Sequence, residues 1–321
     1  MPFVSKTHVD SSPIHALGLF ATELIPKDSV YWTYEPWVNV TTFSHTQYKY
    51  VHDSERTISL ESKYMWDGFR VYSFYVKEID SLMFGLDNSR FINHSETPNS
   101  AFDYNKKGRI ALRDIQAGEE ITENYYSYGY PWTEEKDEDF LPVNKQLQDE
   151  YLEKNGKLEL PPSHKELYKS HIKHTGTIHG NGLFFGVDVP KGSVYWQYQE
   201  DVNTWRVKKE TWRTFLQSEI ERSETSKNWK QGFLVECYYN GDNDSIEVCL
   251  DNTRFTNHAD DVEKSFFNNV YVDNKSYLCV DVPKDTEIID NYYNYDECPW
   301  ETILWEAPVG YPRKNPAVPL Q

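Results

Sequence analysis

The sequence predicts a β-rich α+β chain that contains two tandem copies of one domain. Residues 14–34 align without a gap with residues 178–198, at a displacement of 164 positions. A block at 86–94 recurs at the same displacement, and a block at 124–132 recurs at 291–300 after a small insertion. Three blocks in the same order indicate duplication of a domain of ~130–140 residues, an ordinary size.

Each copy shows short strand patterns joined by turns. In GLFATELIPKDSVYWTY, apolar residues alternate on both sides of residues 26–28, which predicts two strands, and KGSVYWQYQEDV repeats the pattern. RIALRDIQAGEEITENYY predicts a strand, a turn at 117–118 and a second strand, whereas residues 211–224 are predicted to be helical. Residues 41–75 show a looser pattern. Many short strands with few helices favour an α+β fold over a doubly wound sheet.

These patterns predict four segments along the chain. Residues 1–140 form the first domain and residues 171–306 form the second. Residues 141–170 are predicted to be a partly helical connector, because glycine and proline interrupt their helical stretches. Residues 307–321 form a Pro-rich tail that is predicted to be extended.

Composition narrows the functional classes. The net charge of −18 disfavours direct nucleic-acid binding and favours a basic partner, although the charge is also explained by solubility alone. The four cysteines include no CxxC pair, so we expect free thiols, no disulfide framework and no metal site. There is no signal-peptide pattern and no long apolar run, which predicts an intracellular protein, nuclear or cytoplasmic, that does not bind membranes.

Three blocks of the first copy resemble the SET domain of protein lysine methyltransferases. They are GLFA near the domain start, RFINHSETPN, and GEEITENYYSYGY. The resemblance extends to the second copy and so implies two SET-like domains, each with small curved β-sheets and a threaded, knot-like C-terminal motif. No cysteine-rich post-SET segment follows either copy. The resemblance also implies S-adenosyl-L-methionine as the methyl donor, with S-adenosyl-L-homocysteine as the product.

The resemblance assigns a donor site to the first copy. Asn93 would bind the amino-acid end of the donor through its side-chain amide, and His94 would contact the adenine mainly through backbone groups. Arg90 would lie in or near the same wall, with a structural ion pair as the alternative. The complete set of donor-site residues that the resemblance implies is Leu17, Gly18, Leu19, Arg90, Phe91, Asn93, His94 and Tyr125.

The resemblance places the catalytic hydroxyl on Tyr125 and adds Tyr126 as a second catalytic candidate. Tyr126 and Tyr128 are candidates for lining the lysine channel, although tyrosines in this chain are also expected as ordinary aromatic core. Methyl transfer from a sulfonium to an amine needs a neutral amine and in-line alignment, so a strong general base is not obligatory.

The two copies depart from the family pattern at different positions. Ala16 replaces the first glycine of the first copy's loop, which is tolerable unless that residue needs a positive φ. In the second copy Ala259 replaces the serine, and no Pro-Asn follows. The second-copy equivalents of the site residues are Gly180, Gly182, Asn257, His258 and Tyr292. We therefore expect an active first copy and a degenerate second copy, in which donor binding stays open.

The leading functional hypothesis is a protein-lysine N-methyltransferase that depends on S-adenosyl-L-methionine and acts on a basic protein or peptide, with histone tails as the leading substrate class. One alternative is a SET-like pseudoenzyme that binds a peptide or protein. Another is a methyltransferase for a non-histone protein or a small molecule. A monomer is compatible with the sequence, because a fused pair reproduces the interface of a dimer.

Overall fold

The computed structural model describes residues 3, 5–56, 58–128, 170–175, 180–258, 269–290 and 300. Within these residues the chain is α+β, with many short strands in small sheets, which confirms the predicted fold class. The described helices are α1 (His45–Asp53), α2 (Leu60–Tyr72), α3 (Lys209–Leu216) and α4 (Glu224–Val235). No helix among the described residues has the length and hydropathy required to span a membrane.

The first repeat contains three small sheets. Its strands are β1 (Thr7–Ser11), β2 (Leu17–Ala21), β3 (Val30–Thr33), β4 (Val40–Ser44), β5 (Ser73–Val76), β6 (Ser81–Gly85), β7 (Asn93–His94), β8 (Ser100–Asp103), β9 (Gly108–Ala111) and β10 (Glu120–Glu123). The sheets have the strand orders β1-β2-β10-β7, β3-β9-β8 and β4-β6-β5. The first sheet contains all three sequence blocks that carry the family resemblance.

The second repeat follows the same plan. Its strands are β11 (Ser170–His174), β12 (Asn181–Phe185), β13 (Val194–Gln197), β14 (Thr204–Lys208), β15 (Cys237–Asn240), β16 (Ser245–Cys249), β17 (Asn257–His258), β18 (Asn269–Val272), β19 (Lys275–Leu278) and β20 (Ile289–Asp290). The orders β13-β19-β18 and β14-β16-β15 match those of the first repeat. The remaining sheet is reduced to the pairs β11-β12 and β17-β20, which a single bridge between Phe184 and Glu287 connects.

The structure has turns at both predicted positions of the first repeat, residues 26–28 and 117–118. Asp28, in the turn between β2 and β3, has a φ of 64°, and Gly118, in the turn before β10, has a φ of 82°. Both values are in the left-handed region that turn residues such as Asp and Gly adopt most readily. The two turns are also joined across the sheets by a bridge between Ile25 and Ile115.

The helices were harder to predict than the strands. Residues 41–75 contain α1 and α2, which the sequence did not indicate. α2 buries Met65, Trp66, Phe69 and Tyr72, and the shorter α1 buries Tyr48 and Val51. Residues 211–224 are helical only in part, because α3 ends at Leu216 and a 3-10 helix at Ile220–Arg222 precedes α4. The predicted helix is therefore present at residues 211–216 and interrupted at residues 217–219.

The core of the first repeat surrounds β2 and β10. Leu19 and Ile121, which are paired across these two strands, are both fully buried. Trp32 is also fully buried, and its indole nitrogen donates a hydrogen bond to Asp87 Oδ2 at 2.7 Å. Because an apolar layer fixes the strand register, the polar ends of β7 and β10 are held at defined positions.

The chain packs as two compact units, and each unit draws on both repeats. Unit 1 consists of Met1–Tyr48, Tyr64–Pro161 and Val207–Lys230, whereas unit 2 consists of Lys49–Lys63, Pro162–Arg206 and Gln231–Gln321. The segment 207–230, which contains α3, belongs to the second repeat in sequence but to unit 1 in packing. The segment 49–63 belongs to the first repeat in sequence but to unit 2 in packing.

Candidate active site

The three sequence blocks meet at β10. On one side β10 pairs antiparallel with β2, and on the other side it pairs in parallel with β7. In the parallel pair Thr122 lies opposite Asn93, and Glu123 lies opposite His94. The register therefore brings the Asn-His pair beside the start of the segment that carries Tyr125.

The side-chain amide of Asn93 lies at the centre of a cluster of acceptors. Its Nδ2 is 2.8 Å from Glu120 Oε1, 2.9 Å from the Leu17 carbonyl, 3.1 Å from Ser12 Oγ and 3.2 Å from the His15 carbonyl. An amide nitrogen has two N–H groups, so four acceptors exceed its capacity. A carboxylate, a hydroxyl and two carbonyls directed at one point form an environment that suits a positive charge.

Gly18 makes this cluster possible. A β carbon at position 18 would lie 2.7 Å from the carboxyl carbon of Glu120 and 3.1 Å from the β carbon of Ser12. Ser12 Oγ lies 2.8 and 2.9 Å from the two Glu120 oxygens. The predicted role of Gly18 as a point of close approach therefore has a specific neighbour, the Glu120 carboxylate. Leu19, which was also predicted to bind the donor, has its side chain in the core.

The loop before Gly18 has a strained residue. Ala16 has a φ of 43°, and Gly180, at the equivalent position of the second repeat, has a φ of 55°. The alanine was expected to be tolerated unless this residue needs a positive φ. Because Ala16 has a positive φ and a β carbon disfavours the left-handed region, the alanine destabilises this loop relative to glycine.

His94, Tyr125 and Tyr126 lie together. His94 Nδ1 accepts a hydrogen bond from the backbone N–H of Tyr125 at 3.0 Å, and its ring lies 4.7 Å from the ring of Tyr126. The Tyr125 hydroxyl donates to the carbonyl of Ile92. Burial, followed by the negative charge of Glu123, raises the pKa of Tyr125 above its ordinary value. The Tyr125 phenol therefore stays protonated at neutral pH and acts as a donor.

A buried ion pair lies behind this group. Arg109 Nη1 is 2.6 Å from Glu123 Oε2, and the two side chains are only 5% and 2% exposed. The Tyr128 hydroxyl donates to the same Glu123 oxygen at 2.6 Å, and its ring packs 5.0 Å from that of Phe74. Burial is the largest single influence and lowers the pKa of Arg109, but Glu123 together with Tyr128, Tyr31 and Asp87 raises that pKa above its ordinary value. The pair thus fixes the segment that carries Tyr125 and Tyr128.

Arg90 makes its hydrogen bonds away from the Asn93 cluster. Its Nη1 donates to the carbonyl of Asp87 and to Ser218 Oγ, both at 2.8 Å, and its Nε donates to Ser226 Oγ at 3.2 Å. The ring of Phe91 lies 4.4 Å from the guanidinium carbon. Asn93, His94, Gly18 and Tyr125 are thus brought together, whereas the side chain of Arg90 binds residues of the 207–230 segment.

Residues 16–126 match the family model of the SET domain. This part of the chain is a SET domain. The match ends at Tyr126, so it covers the first repeat and leaves the duplicated second SET-like domain, with the boundaries predicted for both, as a prediction. Asn93 and its acceptors Leu17 and Glu120 lie within the matched residues, whereas Ser12 and His15 lie just before them.

Two solved structures are similar to part of the chain. One is a Plasmodium falciparum protein described as a candidate histone methyltransferase, at 18% identity and a TM-score of 0.24, with 38% of this chain and 93% of that chain covered. The other is a humanized mutant of Chaetomium thermophilum Polycomb Repressive Complex 2, at 24% identity and a TM-score of 0.26, with 38% and 15% covered. At these scores the likenesses decide nothing, and the family match carries the assignment. No curated protein matches the chain.

The second repeat reproduces the asparagine–glutamate–glycine part of the Asn93 cluster. Asn257 Nδ2 donates to Glu287 Oε1 at 2.8 Å and lies 3.0 Å from the Asn181 carbonyl. A β carbon on Gly182 would lie 2.7 Å from the Glu287 carboxyl carbon, the same distance as for Gly18 and Glu120. His258 is buried and pairs in parallel with Asp290. Tyr292 lies outside the described residues.

The buried ion pair distinguishes the SET domain from the second repeat. Arg109 lies opposite Trp32 in its sheet, and the residue opposite the matching Trp196 is Ser276. Glu123 lies opposite His94, and the residue opposite His258 is Asp290. An arginine–glutamate pair in the first repeat thus corresponds to serine and aspartate in the second.

Several residues that hold the site together lie outside the set of predicted site residues. Asn99 uses both ends of its side-chain amide on β10: Oδ1 accepts from the Thr122 N–H at 2.8 Å, and Nδ2 donates to the Glu120 carbonyl at 2.7 Å. In the second repeat Asn269 Nδ2 donates to the Ile289 carbonyl at 2.8 Å. Although the second copy lacks the Pro-Asn, a side-chain amide still binds its equivalent strand, β20. Glu120 and Ser12 were also missed, although Glu120 lies within a quoted motif.

No cluster of metal-binding side chains is found among the described residues, where groups of three or more His, Cys, Asp or Glu were sought.

The strained loop predicts a pair of opposite stability changes. Ala16→Gly removes a β carbon from a left-handed residue, so we expect it to raise the free energy of unfolding by about 0.5–1 kcal/mol. Gly180→Ala introduces the same strain and is expected to lower it by about 1 kcal/mol. Urea unfolding of both variants beside the unmodified chain measures the two changes. Changes of the same sign would contradict a left-handed backbone at one of the two positions.

The buried ion pair predicts unequal effects of matched substitutions. Glu123→Gln leaves Arg109 with an uncompensated buried charge, so we expect a loss of about 3–5 kcal/mol in the free energy of unfolding. In the second repeat Ser276 stands in place of that arginine. Asp290→Asn is therefore expected to lower the free energy of unfolding by less than about 2 kcal/mol. Thermal and urea unfolding measure both, and equal losses would show that Arg109 does not depend on Glu123.

Proposed function

We propose that the SET domain of the first repeat is a methyltransferase that transfers a methyl group from S-adenosyl-L-methionine to the ε-amine of a protein lysine. The observation that carries the proposal is the acceptor cluster around Asn93, which lies on the strand that pairs directly with the segment leading to Tyr125. The short parallel pair of β7 and β10 has a site for a charged group at Asn93 and leads to the protonated hydroxyl of Tyr125. This arrangement suits a reaction in which a methyl donor and an acceptor must be aligned.

The residues around Asn93 fit the proposed donor. The α-ammonium group of S-adenosyl-L-methionine needs acceptors, and the Glu120 carboxylate, the Leu17 carbonyl and Ser12 Oγ supply them within 3.2 Å of the Asn93 nitrogen. Once the ammonium group of the donor takes up these acceptors, the N–H groups of Asn93 would be released to bind the carboxylate of the donor. When it is bound, the donor supplies an electrophilic methyl group on a positively charged sulfur.

Tyr125 would serve as a positioning hydroxyl. Its pKa is raised by burial and by Glu123, so the phenol stays neutral and donates to the Ile92 carbonyl. This bond joins the Tyr125 segment to the residue that precedes Asn93, which fixes the distance between the acceptor side and the donor side. Tyr126, whose ring packs on His94, would form the neighbouring wall.

A basic protein or peptide is the proposed substrate class, and histone tails are its leading members. A chain with a net charge of −18 attracts Lys-rich segments and repels nucleic acid, which accelerates encounters with basic tails. The nucleus and the cytoplasm are the proposed compartments, where such substrates occur. A non-histone protein or a small-molecule acceptor is the alternative for the same chemistry.

A binding function without catalysis is the second candidate, and it applies to the second repeat. The Asn257–Glu287 contact supports donor binding there, whereas Ser276 and Asp290 replace the buried ion pair of the first site. A donor-binding or peptide-binding module that supports the first site is compatible with both observations.

Asn93→Ala is expected to weaken donor binding at the first site by about 10- to 100-fold, because the variant loses an amide that hydrogen-bonds charged groups. Calorimetric titration with S-adenosyl-L-methionine and with S-adenosyl-L-homocysteine, which counts sites as well as affinities, measures the change. Asn257→Ala is the matched control and should leave first-site affinity and methylation of a basic peptide intact. Unchanged binding and methylation in Asn93→Ala would contradict the site.

Tyr125→Phe is expected to lower kcat for peptide methylation by about 100-fold with little change in donor affinity, because the acceptor loses alignment. The rate should rise with pH as the substrate amine loses its proton. Tyr125 should add no second break below pH 10, since its pKa is raised above 10.0. Mass spectrometry of the product across pH 7 to 10 measures both effects. A break that disappears in Tyr125→Phe would show instead that this phenol titrates as a base.

A further inference from the structure

Arg90 is held by residues that lie far along the chain. In unit 1 its Nη1 and Nε bind Ser218 Oγ and Ser226 Oγ, at 2.8 and 3.2 Å. Both serines belong to the 207–230 segment of the second repeat. Ser226 is fully buried, and its Oγ also lies 2.8 Å from the Tyr72 hydroxyl. The arginine that opens the RFINHSETPN string is thus anchored by the other repeat.

Arg254, the matching arginine of the second repeat, makes equivalent serine contacts, and its Nε also lies 3.4 Å from Glu236 Oε2 of its own repeat. In unit 2 its Nη1 donates to Ser54 Oγ at 3.1 Å, and its Nε lies 3.4 Å from Ser62 Oγ. Ser54 and Ser62 belong to the first repeat, and each precedes its counterpart, Ser218 or Ser226, by 164 positions. The two sets of bonds are therefore equivalent, and in both cases the partners come from the opposite repeat.

A backbone contact follows the same rule. Asn88 Oδ1 accepts from the Glu219 N–H at 2.9 Å in unit 1, and Asn252 Oδ1 accepts from the Glu55 N–H at 2.9 Å in unit 2. These pairs are again related by 164 positions. Because backbone groups take part, the exchange fixes the path of each segment and not only the orientation of its side chains.

The exchanged segment of unit 1 also carries apolar anchors. Trp229 is 2% exposed, and its ring lies 6.3 Å from that of Phe69 and 5.3 Å from that of Phe215. A β carbon on Gly68 would collide with the Trp229 side chain, so the first repeat has a glycine where the indole lies. A buried tryptophan against a glycine is a specific fit and not an incidental surface contact.

The exchange reaches the residues next to the acceptor cluster. Arg222 Nη1 donates to the carbonyl of Val9, and its Nη2 binds Asp10 Oδ1 at 3.1 Å. Val9 and Asp10 lie in β1, which leads directly to Ser12, and Ser12 contacts both Glu120 and Asn93. Arg90 lies three positions before Asn93 on the other side. The 207–230 segment therefore braces both chain segments that carry the cluster.

We propose that the two repeats exchange segments with each other and therefore fold together. In this arrangement Ser218, Arg222 and Ser226 of the second repeat are positioning residues for the donor site of the SET domain. The second repeat is then a structural component of the first site whether or not it has a reaction of its own. The part of this proposal that concerns donor binding rests on the proposed function, and the part that concerns exchange does not.

Cleavage of the intact chain tests the exchange. A specific protease site placed between residues 141 and 160 of the full-length protein is cut under native conditions, and the product is analysed by size-exclusion chromatography and native mass spectrometry. Exchanged repeats stay together as one species that contains both fragments and separate only in denaturant. Fragments that separate on dilution in native buffer overturn the proposal.

A matched pair of double variants tests the positioning role in the uncut chain. With Asn257→Ala as background, so that only the first site titrates, Ser218→Ala with Ser226→Ala is expected to weaken donor binding about tenfold. Ser54→Ala with Ser62→Ala removes the equivalent hydroxyls from unit 2 and should leave this affinity unchanged. Ser218→Thr, which keeps the hydroxyl, should bind donor more tightly than Ser218→Ala. Equal effects of the two double variants overturn the positioning role.

The two measurements separate the proposals. If the unmodified chain binds no donor but the cut fragments stay together, the proposed function fails and the exchange stands. If donor binds but the fragments separate, the exchange fails and the proposed function stands.

Discussion

The site depends on one very short contact, the two-residue parallel pairing of β7 with β10. Through it Asn93 and His94 lie beside Thr122 and Glu123, and β10 in turn brings Glu120 to Gly18. Two residues of parallel sheet contribute little stability alone. The pairing persists because its neighbours hold it, with the Asn99 amide on one side of β10 and the Arg109–Glu123 ion pair at its end.

The strands of this fold follow from the sequence because their determinants are local. Alternating apolar residues and turn residues at 26–28 and 117–118 predict β2, β3, β9 and β10 without knowledge of any partner. The helix α1 was missed because it is short and many of its positions are polar, so tertiary packing rather than periodicity selects it. The break after α3 was missed for a related reason: the backbone N–H of Glu219 bonds to Asn88, 131 positions away.

The same distinction separates the site residues that were predicted from those that were not. Asn93, His94, Gly18 and Tyr125 are recognisable because each lies in a motif with a fixed local spacing. The neighbours that give them their environment lie elsewhere: Ser12 is 108 positions from Glu120, and Ser218 is 128 positions from Arg90. Arg90 shows the limit most clearly, since its motif assigns it to the donor wall whereas its hydrogen bonds connect it to the other repeat.

Reciprocal exchange changes what divergence of the two repeats means. In independent domains, a second copy that loses its chemistry becomes dispensable to the first. Here the second copy supplies the hydroxyls that hold Arg90 and the indole that fills the space above Gly68. Replacement of the Arg109–Glu123 pair by Ser276 and Asp290 changes groups within the second repeat, whereas under the proposed exchange a change in the 207–230 segment acts on the SET domain. If the proposed exchange holds, two kinds of constraint apply to the second repeat: its own site can diverge without effect on the SET domain, and its exchanged segment cannot.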